Sequence, residues 1–337
     1  MNKSKMIDDL MKPSSYPDKF KSISLAQTHI SNVFIGDDFV YKIKKPVNFG
    51  FLDFSTIEKR KYYCNKEVEL NSRFSEDVYL GVFPVIFNGT DYSINGGGKV
   101  VDYAVKMRRL NDEDLLKTRF KQGTVTSKDI QRIGKAIAAF HKKSEQSKEI
   151  DKFGTLEVVK FNTDENFQQT AEFVGNSIDK KQYQDLKNWT DSFYKNHKEL
   201  FNQRIQDGKI RDCHGDLHME HICLTDPIII FDCIEFNDRF RYSDVVSDIA
   251  FLLMDLEFNN GKDFAKQLCK EYLANADEKA DDTIYNLIKF YKVYRAYVRG
   301  KVTSFILKDL NVSEDKKIKA RKTAQKYFNL AHSYISE

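Results

Sequence analysis

Seven histidines are spread over the 337 residues of the chain, and three of them fall in one short run, His214-Gly215-Asp216-Leu217-His218-Met219-Glu220-His221. A second carboxylate, Asp232, directly follows the wholly apolar segment Ile228–Phe231. A short apolar run of this kind reads as a buried strand, and a side chain at its end is offered to a cleft by a rigid support. Asp216, in a loop, and Asp232, at a strand end, can divide labour. One accepts a proton from a hydroxyl nucleophile while the other holds a divalent cation. Phosphoryl transfer needs that division, together with a lysine for the phosphates and an acid to position the lysine. The N-terminal part supplies both types. Lys42 and Lys44 share one face of a strand, and Glu67 and Glu69 lie on the helix that follows, so each role has two candidates.

The elements that must position these residues can be read from periodicity. A short helix around Ile7, Leu10 and Met11 ends at Pro13, and residues 1–22 are expected to form an N-terminal extension. Val33 and Ile35, then Phe39, Tyr41 and Ile43, alternate around Gly36-Asp37-Asp38 as a hairpin. Ser55 with Glu58 predicts a capping box that opens a helix running to about Phe74. Strands follow over Val78–Ile86, Tyr92–Ile94 and Val100–Met107, separated by Asn88-Gly89 and Gly96-Gly97-Gly98. This is a small antiparallel sheet with one helix laid on it, spanning residues 23–109. After Arg108-Arg109-Leu110 the pattern turns helical. Ser127 is the expected N-cap of a helix carrying Ile130, Ile133, Ile137 and Phe140. Further helices are expected at about 164–178, 180–206, 243–257, 261–274, 281–308 and 314–335, which makes 110–337 a mainly helical domain.

Composition excludes more than it selects. Lys plus Arg (54) nearly balance Asp plus Glu (50), so a net charge of +4 requires no nucleic-acid partner. The longest apolar run, Ile249–Met254, is too short to span a bilayer, and acids stand where a signal peptide would have its apolar core. Five cysteines without a CxxC pair read as reduced thiols, consistent with a cytoplasmic protein.

The run His214–His218 followed by Ile230-Phe231-Asp232 resembles the catalytic loop and metal-binding aspartate of the aminoglycoside phosphotransferase family, whose fold is protein-kinase-like. The segments Tyr41–Pro46, Gly50–Ser55 and Phe231–Phe236 resemble a bacterial subgroup in which some members carry a further C-terminal P-loop kinase domain. No GxxxxGK[ST] stretch occurs here, so the chain resembles the first domain standing alone. The resemblance implies an α+β, two-lobe fold, with a small antiparallel-sheet N-lobe, one helix, and a larger helical C-lobe. It implies Asp216 as catalytic base, Asp232 as the ligand of Mg²⁺, and Lys42 paired with Glu67 on the nucleotide phosphates, with ATP or GTP as donor. It further implies that main chain at Met107, Arg108 and Arg109 contacts the nucleobase. His214, His218 and Asp248 would support the catalytic loop.

Two departures from the family pattern follow. His221 stands where the family usually has asparagine as a second metal ligand, and imidazole suits Mn²⁺ better than Mg²⁺. No glycine-rich loop precedes Lys42; Thr28 and Ser31 occupy that place and are the residues left to contact phosphate. Both departures keep open a second reading, a nucleotide-binding pseudokinase with little transferase activity. The spacing of His214, His218 and His221 also permits a zinc site on a helix, but Gly215 and Asp216 interrupt the span and no H-E-x-x-H occurs.

For the acceptor, Tyr291, Arg295 and Arg299 fall four apart on one predicted helix. Either they form a solvated edge, or they line a pocket for an anionic small molecule. A polycationic aminoglycoside would prefer acids there, so such an acceptor is not expected.

Overall fold

The computed structural model describes residues 3–75, 77–310 and 312–336. The chain divides into two compact units, one running up to Gly123 and including Glu220–Asp238, the other comprising Thr124–Met219 and the chain from Arg239 onward.

The first unit is built on six antiparallel strands: β1 (Ser24–Gln27), β2 (Ser31–Ile35), β3 (Phe39–Lys44), β4 (Tyr79–Phe87), β5 (Tyr92–Ile94) and β6 (Lys99–Arg108). Their spatial order is β1-β2-β3-β6-β4-β5. β1 is one strand more than the periodicity predicts, because Leu25 alone of its residues points inward. The sheet buries both faces. On one, Phe34, Tyr41, Ile43, Val85 and Ala104 pack with Met6, Leu10 and Tyr16. The N-terminal segment is therefore part of this core rather than an extension. Its helix α1 (Lys3–Leu10) is fastened by Asp9, which accepts the Tyr92 amide and pairs with Lys12. On the other face, helix α2 (Ile57–Ser72) covers the sheet with Cys64 against Val78, Tyr79 and Val105. Alternation along β3 thus sends Tyr41 and Ile43 to one side and Lys42 and Lys44 to the side of α2. The N-cap of α2 is Thr56, which accepts the Lys59 amide, and not Ser55, whose hydroxyl is bonded to Asp53.

Helix α3 (Leu116–Lys121) and a hairpin of two-residue strands, Ile222–Cys223 and Ile229–Ile230, complete the unit. The domain limit lies beyond the expected Arg109, and residues 220–238 join the first unit, because Ile229 and Phe231 pack beneath α2.

The second unit is helical: α4 (Ser127–Lys143), α5 (Leu156–Thr170), α6 (Lys180–Asn196), α7 (Lys198–Gln206), α8 (Val245–Phe258), α9 (Lys262–Asn275), α10 (Asp282–Phe305) and α11 (Glu314–Ser336) are its longer helices. Its core joins Phe251 and Met254 of α8, Val293, Ala296 and Tyr297 of α10, and Tyr327 and Phe328 of α11. Thr126, not Ser127, caps α4 through a reciprocal box with Asp129. The observed architecture is the expected α+β, protein-kinase-like fold. No helix among the described residues is long and apolar enough to cross a membrane.

Candidate active site

In the first unit, the two lysines of β3 resolve a choice the sequence leaves open. Glu67 is fully buried on α2 and gives one oxygen to each: Oε1 lies 2.8 Å from Lys42 Nζ and Oε2 lies 2.5 Å from Lys44 Nζ. Glu69 is exposed and pairs with Lys66. Lys42 donates onward to Asp232 Oδ1 at 2.6 Å, and Lys44 reaches Glu235. Burial alone would push both lysines down. For Lys42, Asp232, Glu67 and Glu235 outweigh it and hold the ammonium well above its ordinary range; for Lys44, Glu235 and Glu67 do the same. The two glutamates diverge. Burial raises Glu67, but two lysines reverse this and lower it, whereas Glu235, sharing Lys44 and facing Glu67, stays raised.

Asp232 has φ +61°, a left-handed conformation rare for a residue with a Cβ. The surroundings hold it there. Its amide donates to the Tyr79 hydroxyl oxygen at 3.0 Å, the Cys233 amide donates to Asn71 Oδ1 at 2.8 Å, and the Ser75 hydroxyl donates to the Ile230 carbonyl. The Phe231 amide donates to the His221 carbonyl, which closes the hairpin and brings His221 Nε2 to 3.6 Å from Asp232 Oδ2.

These residues fit a divalent cation. Three carboxylates (Glu67, Asp232, Glu235) gather around two ammoniums (Lys42, Lys44) in a largely buried cluster. Asp232 is its most exposed acid, at 39 %. A carboxylate oxygen beside an imidazole nitrogen suits Mg²⁺ through the oxygen and Mn²⁺ through both.

The phosphate-covering place departs from expectation. Thr28 is exposed, and its hydroxyl accepts the amides of Ile30 and Ser31; Ser31 is fully buried, with no partner for its hydroxyl among the described residues. Burial removes Ser31 from direct contact with a phosphate. The Arg108 and Arg109 amides donate to the carbonyls of Val78 and Asp38.

In the second unit, the loop around Asp216 is held almost entirely by side chains of α8 and α10. Asp248 accepts the amides of His214 and Gly215, each at 2.9 Å, and lies 3.2 Å from His141 Nε2. Burial would raise its carboxyl, but His141, His214 and Arg295 lower it to about 2. Asp255, one heptad on along the same helix face, accepts the Met219 amide. Gly215 turns the chain at φ +84°, and its carbonyl accepts Arg295 Nη1 at 3.0 Å. His214 is fully buried, and its Nδ1 accepts the Asp216 amide. The Asp216 carboxylate itself is one-third exposed, 3.4 Å from His218 Nε2. Burial disfavours charge on His218, but Asp216 prevails and raises its pKa. The run is a loop entering a short 3₁₀ turn at Met219–His221, so the helical spacing that a zinc reading of its histidines requires is absent.

The three acceptor candidates separate. Tyr291 is buried, and Arg295 is buried with its guanidinium bonded to the Gly215 and Ser247 carbonyls. Arg299 is half-buried, and its charge is favoured against burial by Tyr327 and Asp216.

Sequence reasoning missed Glu235, Asn71, Ser75, Tyr79 and Asp255. Two left a signal: Asp255 by its spacing from Asp248 on a helix face, and Glu235 by its place in the segment Phe231–Phe236.

The profile of the phosphotransferase enzyme family matches residues 80–282. Uncharacterised proteins of Mycobacterium tuberculosis and Mycobacterium bovis are 33 % identical over 282 residues, 83 % of this chain and 54 % of theirs. The chain thus spans about half the length of the curated relatives it matches. Among solved structures, an aminoglycoside phosphotransferase bound to GDP and kanamycin aligns with TM-score 0.57 at 14 % identity, over 96 % of this chain and 98 % of the other. A choline/ethanolamine kinase family protein from Mesorhizobium loti aligns with TM-score 0.53 at 13 % identity, over 98 % and 99 %. These likenesses establish the fold, and the profile match with the mycobacterial relatives establishes more: the chain belongs to the phosphotransferase enzyme family.

Proposed function

We propose that this chain transfers the γ-phosphoryl group of ATP or GTP to a hydroxyl of a small molecule. The observation that carries the reading is the double engagement of Lys42, ion-paired at once to Glu67 and to Asp232. An ammonium held by a buried acid, beside a more exposed carboxylate, is the arrangement that holds nucleotide phosphates and their metal. Lys42 contacts the phosphates and Glu67 orients it. Asp232, with His221, would hold Mg²⁺ or Mn²⁺, and the cation would supply positive charge against the phosphates. Asp216 orients the acceptor hydroxyl and takes its proton. Arg299, the one candidate arginine not committed to backbone carbonyls, supports an anionic acceptor and argues against a polycationic aminoglycoside.

The experiment is nucleotide binding followed by thermal unfolding with ATP or GTP and Mg²⁺ or Mn²⁺. A rise in melting temperature that requires the metal and is lost in Asp232→Asn supports the reading. No rise with any triphosphate and either ion would refute it.

One observation favours a second reading, a nucleotide-binding regulatory module of low activity. The Thr28–Ser31 turn consumes its own amides on the Thr28 hydroxyl, leaving a poorer cradle for phosphates than a glycine loop gives. Metal-dependent binding without transfer to any acceptor would select it.

A further inference from the structure

Lys44 and Glu235 form a pair that the proposed chemistry does not use. Lys44 is 1 % exposed and Glu235 6 %. Burying two ions costs several kcal/mol each after relaxation, and apolar residues of similar size would pack at least as favourably. What an ionic pair adds is direction. Glu67 stands between the two lysines, and each lysine ends on an acid of the same short segment, Lys42 on Asp232 and Lys44 on Glu235. The segment is therefore tied at its start by Ser75, in its middle by Tyr79 and Asn71, and at its end by Lys44. Asn71 also donates to the Glu67 carbonyl, so α2 and the segment share anchors. The left-handed backbone at Asp232, unfavourable for a residue with a Cβ, needs such anchoring.

We propose that Lys44 and Glu235 are positioning residues for the metal site, an inference that rests on the function proposed above. Nucleotide phosphates compete for Lys42, which in this structure is shared between Asp232 and Glu67. When Lys42 turns to phosphate, Glu67 keeps Lys44, and Lys44 keeps Glu235. The ionic tie from α2 through Lys44 to the segment bearing Asp232 is then kept. Lys44 is in this sense a second lysine that lets the first one move.

The test uses the full chain and a fluorescent ATP analogue titrated with Mn²⁺. Glu235→Gln, Lys44→Met and the double variant Lys44→Met/Glu235→Gln are compared with wild type, each first checked for a cooperative unfolding transition. The double variant removes both charges and keeps the test available should Lys44→Met alone fail to fold. The expected result is a rise of about 10–100-fold in the Mn²⁺ concentration that half-saturates nucleotide binding, the range for residues that orient a metal ligand. A merely structural role lowers the melting temperature and leaves that concentration unchanged. Half-saturation within about twofold of wild type in a folded variant overturns the inference alone. A wild type that binds no nucleotide at any Mn²⁺ concentration overturns the functional reading and this inference with it.

Discussion

Replacing Asp248 with asparagine changes one oxygen to an NH₂ group and tests how the Asp216 loop is held. Asp248 is wholly buried and accepts two backbone amides, one on each oxygen, with His141 close to the second. Asparagine can accept only one of those amides; its NH₂ then faces the other donor. A buried donor left unpaired costs about 1–3 kcal/mol, and hydrogen bonds to a charged group contribute about 1.5–3 kcal/mol. The combined loss is about 3–5 kcal/mol, the range for breaking a buried charged contact. At about 2–4 °C per kcal/mol for a domain of 150–250 residues, the melting temperature should fall by about 6–20 °C. The pH dependence has a definite sign. The carboxyl is held at about 2, below its ordinary 3.8, so its contribution is complete above pH 4 and is lost as the pH falls through 4 towards 2. That contribution is about 2 kcal/mol. Melting curves of both proteins from pH 7 to pH 2.5 should therefore converge by about that amount. A variant within about 2 °C of wild type at pH 7, or a gap that widens on acidification, would show that the Asp248 carboxylate does not hold the loop.

Three other outcomes are expected. Thr56→Ala should cost about 1 kcal/mol in chemical denaturation, because it removes the acceptor of the Lys59 amide, while Ser55→Ala should stay within about 0.5 kcal/mol. Arg295→Met should destabilise by about 1–3 kcal/mol, since the Gly215 carbonyl loses its buried side-chain donor. Arg299→Met should leave the melting temperature nearly unchanged and raise KM for an anionic acceptor, and equal effects from the two arginines would contradict their separation.

The fold was legible wherever a pattern has a short range. Alternation gave β2 to β6, and the order of elements gave the two-lobe class; helical spacing gave the helices from 243 onward within a few residues, but the one expected at 164–178 runs Leu156–Thr170 and the one expected at 180–206 is broken at His197. Helix starts were read one residue early at Ser55 and one late at Ser127, because Thr56 and Thr126 compete for the same role and only backbone geometry decides between neighbouring hydroxyls. The site was half legible. Asp216, Asp232, Lys42 and Glu67 stand in motifs, but the choice of Glu67 over Glu69 depends on which way α2 turns against the sheet. The share of Lys44 was invisible for a related reason: its partner Glu235 is 191 positions away, and no local pattern reports a contact of that separation. Tyr291 and Arg295 were correctly grouped on one helix face. That face looks inward, where Arg295 serves the backbone of the Asp216 loop.

Asp216, on the function proposed above, directs transfer of a phosphoryl group to a hydroxyl. The most direct measurement follows the γ-phosphate of labelled ATP or GTP, with Mg²⁺ or Mn²⁺, into small hydroxyl-bearing anions supplied as a metabolite pool. Label should appear in a small-molecule product, and Asp216→Asn should reduce its rate by about 10²–10⁴-fold with nucleotide binding intact. Transfer undiminished in Asp216→Asn would contradict the account.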